Sequence, residues 1–251
     1  MDVHIPQGNE LCIGIGWADP SLLGKLRHMG VTSVEQYVTW ESCENAGEGK
    51  WDFSYWDSQV ENIRKAGLKW LPFIIAGPAY SLPDWYRQGR DFEGLVCVEH
   101  NIESKIQTFW DKNFNVYVER FLKAFAEHYK DCDIFEGLLF GISGDFGESI
   151  VSVWHGNWPQ GIPGMYHAHA GYWCGDRFAR ADFKEHFKQH FRGDINALNA
   201  SWGTSFPNFG AVDFPPIKTG EWGLRYDEYT DPGEFIPGSS AEKRRWMDFI
   251  D

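Results

Sequence analysis

Lys69-Trp70-Leu71-Pro72-Phe73-Ile74-Ile75-Ala76 is an almost unbroken apolar run. A run this short and this apolar reads as a strand buried in a parallel sheet. Immediately before it, Trp56, Val60, Ile63 and Ala66 recur at helical spacing, and Gly67 ends that helix. Further back, Val31 to Trp40 reads as another strand, closing on Trp40-Glu41. Earlier still, Leu11 to Trp17 reads as a buried first strand. Between those two, Asp19-Pro20 supplies an N-cap and a first helical residue. Leu22, Leu23, Leu26 and Met29 then follow at helical spacing until Gly30. Strand, helix, strand, helix, strand with short turns predicts right-handed βαβ units on a parallel sheet.

On the other side of the run lies a long connection, Gly77 to Asn113, rich in Pro, Trp and Tyr. Connections of that length inside a compact domain are usually functional. An amphipathic helix follows, with Val118, Phe121, Leu122, Phe125 and Tyr129 on its apolar face, and then a fourth strand, Ile134 to Ile142. Arg177 to Gln189 and Ile195 to Ala200 are helical in pattern. Phe206 to Ser240 shows no clear period, and Glu242 to Asp251 reads as the opening of a further helix. Four βα units are counted, whereas a closed (β/α)8 barrel needs eight. No internal repeat supplies the others, so residues 1–251 read as one incomplete α/β barrel, the N-terminal portion of a TIM-barrel-type domain.

The formal net charge of -13 argues against nucleic acid or an anionic membrane as partner, because phosphate binding needs clustered Lys and Arg. The cluster Lys243-Arg244-Arg245 is too short to change that. Aromatics make up 17% of the chain, with 13 Trp, more than packing alone requires. Cys12, Cys43, Cys97, Cys132 and Cys174 are scattered without CxxC spacing, which supports neither a zinc knuckle nor a disulfide framework. Cys12 and Cys132 adjoin apolar runs and are expected to behave as small core residues. Met1 to Gly8 shows no basic n-region or apolar h-region, and no membrane span is visible, so the compartment stays open.

The fourth strand runs straight into Gly144-Asp145-Phe146-Gly147-Glu148. A buried strand that carries an acid to its C-terminal end is how an α/β barrel places a catalytic carboxyl group. The alternative is that Asp145 caps the turn and Glu148 is solvated. About twenty residues on comes an aromatic and histidine-rich stretch from Trp154 to Trp173. A pyranose is apolar on its faces and hydroxylated at its rim, so aromatic rings with polar tips suit a sugar-binding cleft. Trp17, Trp40, Trp85, Trp154 and Trp173 are candidate stacking platforms, whereas Trp51 and Trp56, at a helix entry, are expected in the core. His167-Ala168-His169 has a spacing seen in some metal sites, but no third ligand is placed by sequence. Sugar contact or loop packing is the preferred reading of both histidines, and of His155, with no metal or cofactor expected. Glu41 and Glu44 lie beyond the second strand and either bind hydroxyls or are solvated.

Two motifs resemble the bacterial β-galactosidases among the (β/α)8-barrel glycoside hydrolases. One is Val38-Thr39-Trp40-Glu41-Ser42-Cys43-Glu44 with Gly49-Lys50-Trp51-Asp52-Phe53 and Trp56-Asp57. The other is Ala197-Leu198-Asn199-Ala200-Ser201-Trp202-Gly203-Thr204. The turn Gly144–Glu148, with Gly161-Ile162-Pro163-Gly164 and Tyr172-Trp173-Cys174-Gly175-Asp176, is instead similar to the β-amylases. The likeness of these glycines to the β-amylase turn implies that Glu148 is the general acid/base. In the galactosidases the acid follows an Asn, and the corresponding pair here would be Gly144-Asp145. The resemblance implies hydrolysis of O-glycosyl bonds in an oligosaccharide or polysaccharide, β-galactosidase-like, with a second carboxylate expected beyond residue 251. Asp145 is then the like-charge neighbour that helps keep Glu148 protonated, with Trp154 or Trp158 as apolar wall. A catalytically inactive carbohydrate-binding barrel fragment is the alternative. A Rossmann-type nucleotide protein fails, because Gly14-Ile15-Gly16-Trp17 does not continue as a G-x-G-x-x-G turn.

Overall fold

The computed structural model describes residues 10–77, 80–99, 101–141, 172–216 and 238–250. In chain order the elements begin with β1 (Cys12–Gly14), α1 (Pro20–His28), β2 (Ser33–Thr39), α2 (Glu41–Glu44), α3 (Ser54–Lys65) and β3 (Lys69–Ile75). There follow α4 (Asp84–Arg87), β4 (Gly94–Val96), β5 (Glu103–Gln107), α5 (Lys112–Tyr129) and β6 (Leu139–Gly141). The last are α6 (Arg177–His190), α7 (Ile195–Trp202), a 3-10 turn at Phe209–Ala211, and α8 (Ser240–Ile250). The chain divides into two compact units, Met1–Phe92 with Lys112–Ile150, and Glu93–Asp111 with Val151–Asp251.

The first unit is the expected βαβ array. Its sheet has the order β1-β2-β3-β6, and every pairing is parallel. The β2–β3 ladder runs without interruption from Ser33↔Lys69 to Thr39↔Ile75. Helix α1 starts where the Asp19 side chain accepts the Leu22 N–H at 2.8 Å, with Pro20 at the first helical position. Gly67 turns α3 into β3 at a φ of 70°, a conformation that costs a residue with a Cβ. Val34 and Val38 of β2 and Trp70 and Ile74 of β3 point to one face. There they are fully buried with Leu23, Val60, Ile63, Val118, Phe121 and Phe125 from α1, α3 and α5. Burial of each such side chain is worth about 1.5–3 kcal/mol.

The other face is less covered. Tyr37 and Leu139 are 45% and 40% exposed there, and the Tyr37 ring meets Phe73 edge-on at 5.1 Å. Three expectations need correction. The first strand is not buried, because β1 is an outer strand of this sheet and its residues are exposed or half-buried. Among the described residues, the fourth strand begins later than its apolar run, with Leu139–Gly141 paired to β3 and a single bridge from Phe135 to Trp70 ahead of them. Cys12 is exposed and not the core residue expected, whereas Cys132, partly buried, packs against the core.

The second unit holds a feature that apolar periodicity does not reveal. The connection after β3 contains α4 and an antiparallel hairpin, β4–β5, and the hairpin belongs to this unit. Asp176 caps α6, accepting from the Phe178 and Ala179 N–H groups at 2.9 and 3.0 Å, and also accepts from the Thr108 hydroxyl at 3.1 Å. Phe187, Leu198, Trp202 and Val212 form one hydrophobic cluster of the unit. The Trp202 indole N–H donates to Asp248 at 2.7 Å, tying α7 to α8. Gly203 closes α7 in the left-handed conformation. Among the described residues, no helix is long and apolar enough to cross a membrane.

Candidate functional site

Four of the sequence-nominated residues follow the C-terminal ends of β1 and β2: Trp17, Trp40, Glu41 and Glu44. Past β1, the turn bearing Trp17 is held to α3. The Ala18 N–H donates to Gln59 Oε1 at 2.6 Å, and Asn62 Nδ2 donates to the Ala18 carbonyl at 3.1 Å. The Gln36 side chain of β2 shares the same Gln59 oxygen at 3.2 Å. This anchorage leaves the Trp17 side chain free of the core, 67% exposed. Past β2, Trp40 and Glu41 lead into α2. The Trp40 N–H bonds the Ile75 carbonyl at 3.0 Å and the Glu41 N–H bonds the Ser81 carbonyl at 2.7 Å, so the end of β2 is stitched to the chain leaving β3.

Glu41 is half-buried. Burial, and then the nearby Asp84 carboxylate, push its carboxyl above the usual range, while Arg87 pulls it back. Arg87 is itself paired with Asp84. A carboxyl group in this setting exchanges a proton closer to neutrality than a free glutamate does, and either protonation state can bond a hydroxyl.

Glu44 ends α2 and faces the other way. Its side chain has no exposed surface. Oε2 accepts the Trp40 indole N–H at 2.6 Å and the Arg120 Nη2 at 2.9 Å, and Oε1 accepts the Gly49 N–H. Burial pushes this carboxyl up as well, while the Trp40, Gly49 and Arg120 donors pull it back. Arg120, reaching in from α5, also pairs with Glu48 at 3.2 Å. Its guanidinium lies 5.4–5.5 Å from the ring centres of Trp51, Trp85 and Tyr117. The Trp85 indole N–H completes the arrangement by donating to the Glu44 carbonyl at 2.8 Å.

Two nominated residues therefore have other work. Trp40 is fully buried, packed among Trp85, Tyr86, Tyr117 and Phe121, with its N–H given to Glu44. It has no open face for a sugar. Glu44 is neither solvated nor free for hydroxyls, because its carboxylate is filled by three protein donors. Trp56 is buried, as expected, and Trp51 is half-buried, stacked on Phe53 and Phe121. Trp173 belongs to the second unit, where it is 4% exposed and lines a cavity of about 260 Å³ with Phe109, Trp110 and Tyr172. Asp145, Glu148, Trp154, His155, His167 and His169 lie outside the described residues. Among the described residues, no group of three or more His, Cys, Asp or Glu side chains is arranged to hold a metal. Arg120 was missed by sequence reading. It stands beside Phe121 at the edge of the apolar stripe of α5, where a charged residue reads as solvated.

No known family profile matches the chain. Among curated proteins it is 26% identical over 204 residues to a thermophilic β-amylase of Thermoanaerobacterium thermosulfurigenes, covering 76% of this chain and 36% of that protein. It is also 25% identical over 236 residues to the β-galactosidase BbgII of Bifidobacterium bifidum, covering 92% of this chain and 29% of that protein. Among solved structures, the catalytic domain of a β-amylase from Paenibacillus polymyxa superimposes with a TM-score of 0.59 at 20% identity, over 96% of this chain and 58% of that one. The chain thus spans about a third of the length of the curated relatives it matches. Its parallel sheet and flanking helices have the fold of part of a (β/α)8 barrel, similar to the barrels of the β-amylases and β-galactosidases.

Proposed function

We propose that the chain is part of a glycoside hydrolase that cleaves O-glycosyl bonds in an oligosaccharide or polysaccharide, with Glu148 as general acid/base. The observation that carries the reading is the sequence likeness to a β-amylase across 76% of the chain. A sheet whose first two strands lead into Trp17 and Glu41 supports it. Catalytic and substrate-binding groups of such barrels stand at the C-terminal ends of the strands. The segment with Asp145 and Glu148 comes after β6 in the sequence, and β1 and β2 before it lead to an exposed aromatic ring and a half-buried carboxyl group.

In this reading Trp17 stacks on a sugar ring and Glu41 bonds its hydroxyls. Glu148 protonates the departing glycosidic oxygen, kept protonated until then by Asp145 and an apolar wall. A second carboxylate, placed beyond residue 251, either attacks the anomeric carbon or activates water. A separation of about 5 Å from Glu148 gives retention, and about 6.5–9.5 Å gives inversion.

The test compares Glu148→Gln with the unaltered full-length protein on β-galactosides and on amylose. The expected loss is on the order of 10²–10⁴-fold for poor leaving groups, and smaller for activated aryl glycosides that need little protonation. Full activity in Glu148→Gln would remove Glu148 from the mechanism. Saccharide binding with no turnover by the unaltered protein would favour an inactive carbohydrate-binding barrel instead.

A further inference from the structure

We infer that Arg120 is a positioning residue: through Glu44 it fixes the short helix α2 that presents Glu41 at the C-terminal end of β2. The inference rests on the proposed role of Glu41 as a saccharide-binding group, and it adds a residue from a distant helix to that site.

A four-residue helix has too few internal hydrogen bonds to hold its own shape, so its geometry is set by what grips it. Here the grips converge on Glu44. Its side chain takes the Trp40, Gly49 and Arg120 donors, and its carbonyl takes the Trp85 indole N–H. Trp40 precedes the helix and Gly49 follows it, so one carboxylate ties together the entry and exit of the segment. Asp84 at the start of α4 donates its N–H to Asn45 at 2.9 Å, which clamps the residue after the helix.

Arg120 is the cation that makes this buried carboxylate tolerable. An unpaired carboxylate without exposed surface would be strongly destabilised, and the guanidinium fork reaches Glu44 with one arm and Glu48 with the other. Stacking against Trp51, Trp85 and Tyr117 holds the fork in that orientation. Glu41 lies one turn from Glu44 on the same helix, so loosening the Glu44 grip frees the Glu41 backbone from Ser81 and lets water reach its carboxyl.

The experiment follows Glu41 in the 251-residue chain by side-chain carboxyl NMR, assigned with Glu41→Gln, in Arg120→Ala, Arg120→Lys and Trp85→Phe. In Arg120→Ala the Glu41 titration is expected to move down toward an ordinary glutamate, and the Glu41 amide to lose exchange protection. Arg120→Lys keeps the charge without the fork and should recover part of both. Trp85→Phe removes a single donor and serves if Arg120→Ala does not fold. An unchanged Glu41 titration and unchanged protection in a folded Arg120→Ala, or in Trp85→Phe when only that variant folds, would overturn the inference.

In the full-length enzyme the same variants should raise KM on the order of tenfold with little change in kcat, the mark of lost ground-state binding. A shifted Glu41 titration with an unchanged KM would uphold the positioning role of Arg120 and refute saccharide binding by Glu41. The two readings therefore fail separately.

Discussion

Replacing Glu44 by Gln is the sharpest test of how the end of β2 is built. The substitution keeps the volume and removes the charge. A carboxylate accepts at both oxygens, whereas an amide accepts at one and turns its other end into a donor. If the amide oxygen takes the position of Oε2, it keeps the Trp40 and Arg120 donors, and its NH2 then abuts the Gly49 N–H. The opposite orientation keeps Gly49 and loses Trp40 and Arg120. The first orientation costs less: one bond is lost, worth about 1.5–3 kcal/mol, and the Gly49 N–H is left without a partner at about 1–3 kcal/mol, whereas the second loses two. Arg120 is 30% exposed and can be rehydrated, so its freed charge adds little. Burial already raises the Glu44 carboxyl, so part of the bond energy offsets desolvation and the lower half of the range applies. The expected cost is about 2–4 kcal/mol at neutral pH. Urea unfolding followed by tryptophan fluorescence measures it from the midpoint at constant slope. Glu48→Gln is the internal control. Its side chain is 60% exposed, and its loss should cost under about 1 kcal/mol. If Glu44→Gln costs no more than Glu48→Gln, the carboxylate does not hold this segment together, and the reasoning about α2 fails with it.

Trp40 and Trp70 are both fully buried, but only Trp40 gives its indole N–H to an acceptor. Trp40→Phe should therefore cost about 1.5–3 kcal/mol more than Trp70→Phe, and equal losses in denaturant titrations would show that the bond to Glu44 contributes nothing. The raised carboxyl of Glu41 means that the folded chain holds a proton that the unfolded chain has already released. Stability conferred by Glu41 is thus greatest below the ordinary carboxylate range and falls as pH rises through the raised value, so between about pH 4 and pH 7 the wild type should lose stability relative to Glu41→Gln. Parallel pH profiles for the two proteins would contradict this. Burial pushes the Cys43 thiol up to about 12; partial burial raises the Cys12 thiol too, but Cys12 is exposed to reagent. Iodoacetamide at about pH 8 should label Cys12 in the native chain and reach Cys43 only in denaturant, as peptide mass mapping would show.

Local patterns were enough for the architecture of the first unit. Asp19-Pro20, Gly30 and Gly67 mark helix ends by backbone constraints that do not depend on the rest of the chain, and the observed helices start and stop there. Apolar spacing placed α3, α5, α6 and α7, because one buried stripe on a helix repeats every three or four residues wherever the partner lies. The run from Lys69 to Ala76 became β3, paired in register with β2 over its whole length. The hairpin β4–β5 was not legible. Its strands are short and one carries Glu103, Ser104 and Lys105, so its pairing comes from a neighbour and not from its own alternation. The exposure of β1 was equally hidden, since Cys12-Ile13-Gly14 reads the same at the edge of a sheet as in its middle.

At the candidate site the same division holds residue by residue. Sequence alone nominated Trp17, Trp40, Glu41 and Glu44 as chemistry at strand ends, and all four do follow strands. Which of them faces solvent was decided only by tertiary packing. Trp40 and Glu44 turn inward to a cation contributed by α5, 76 residues beyond Glu44, while Glu41 stays half-buried and Trp17 stands clear. Residue type records what a side chain is able to do. Whether a carboxylate meets water, a sugar hydroxyl or a buried guanidinium depends on groups distant in the chain, and only the folded arrangement brings them within bonding distance.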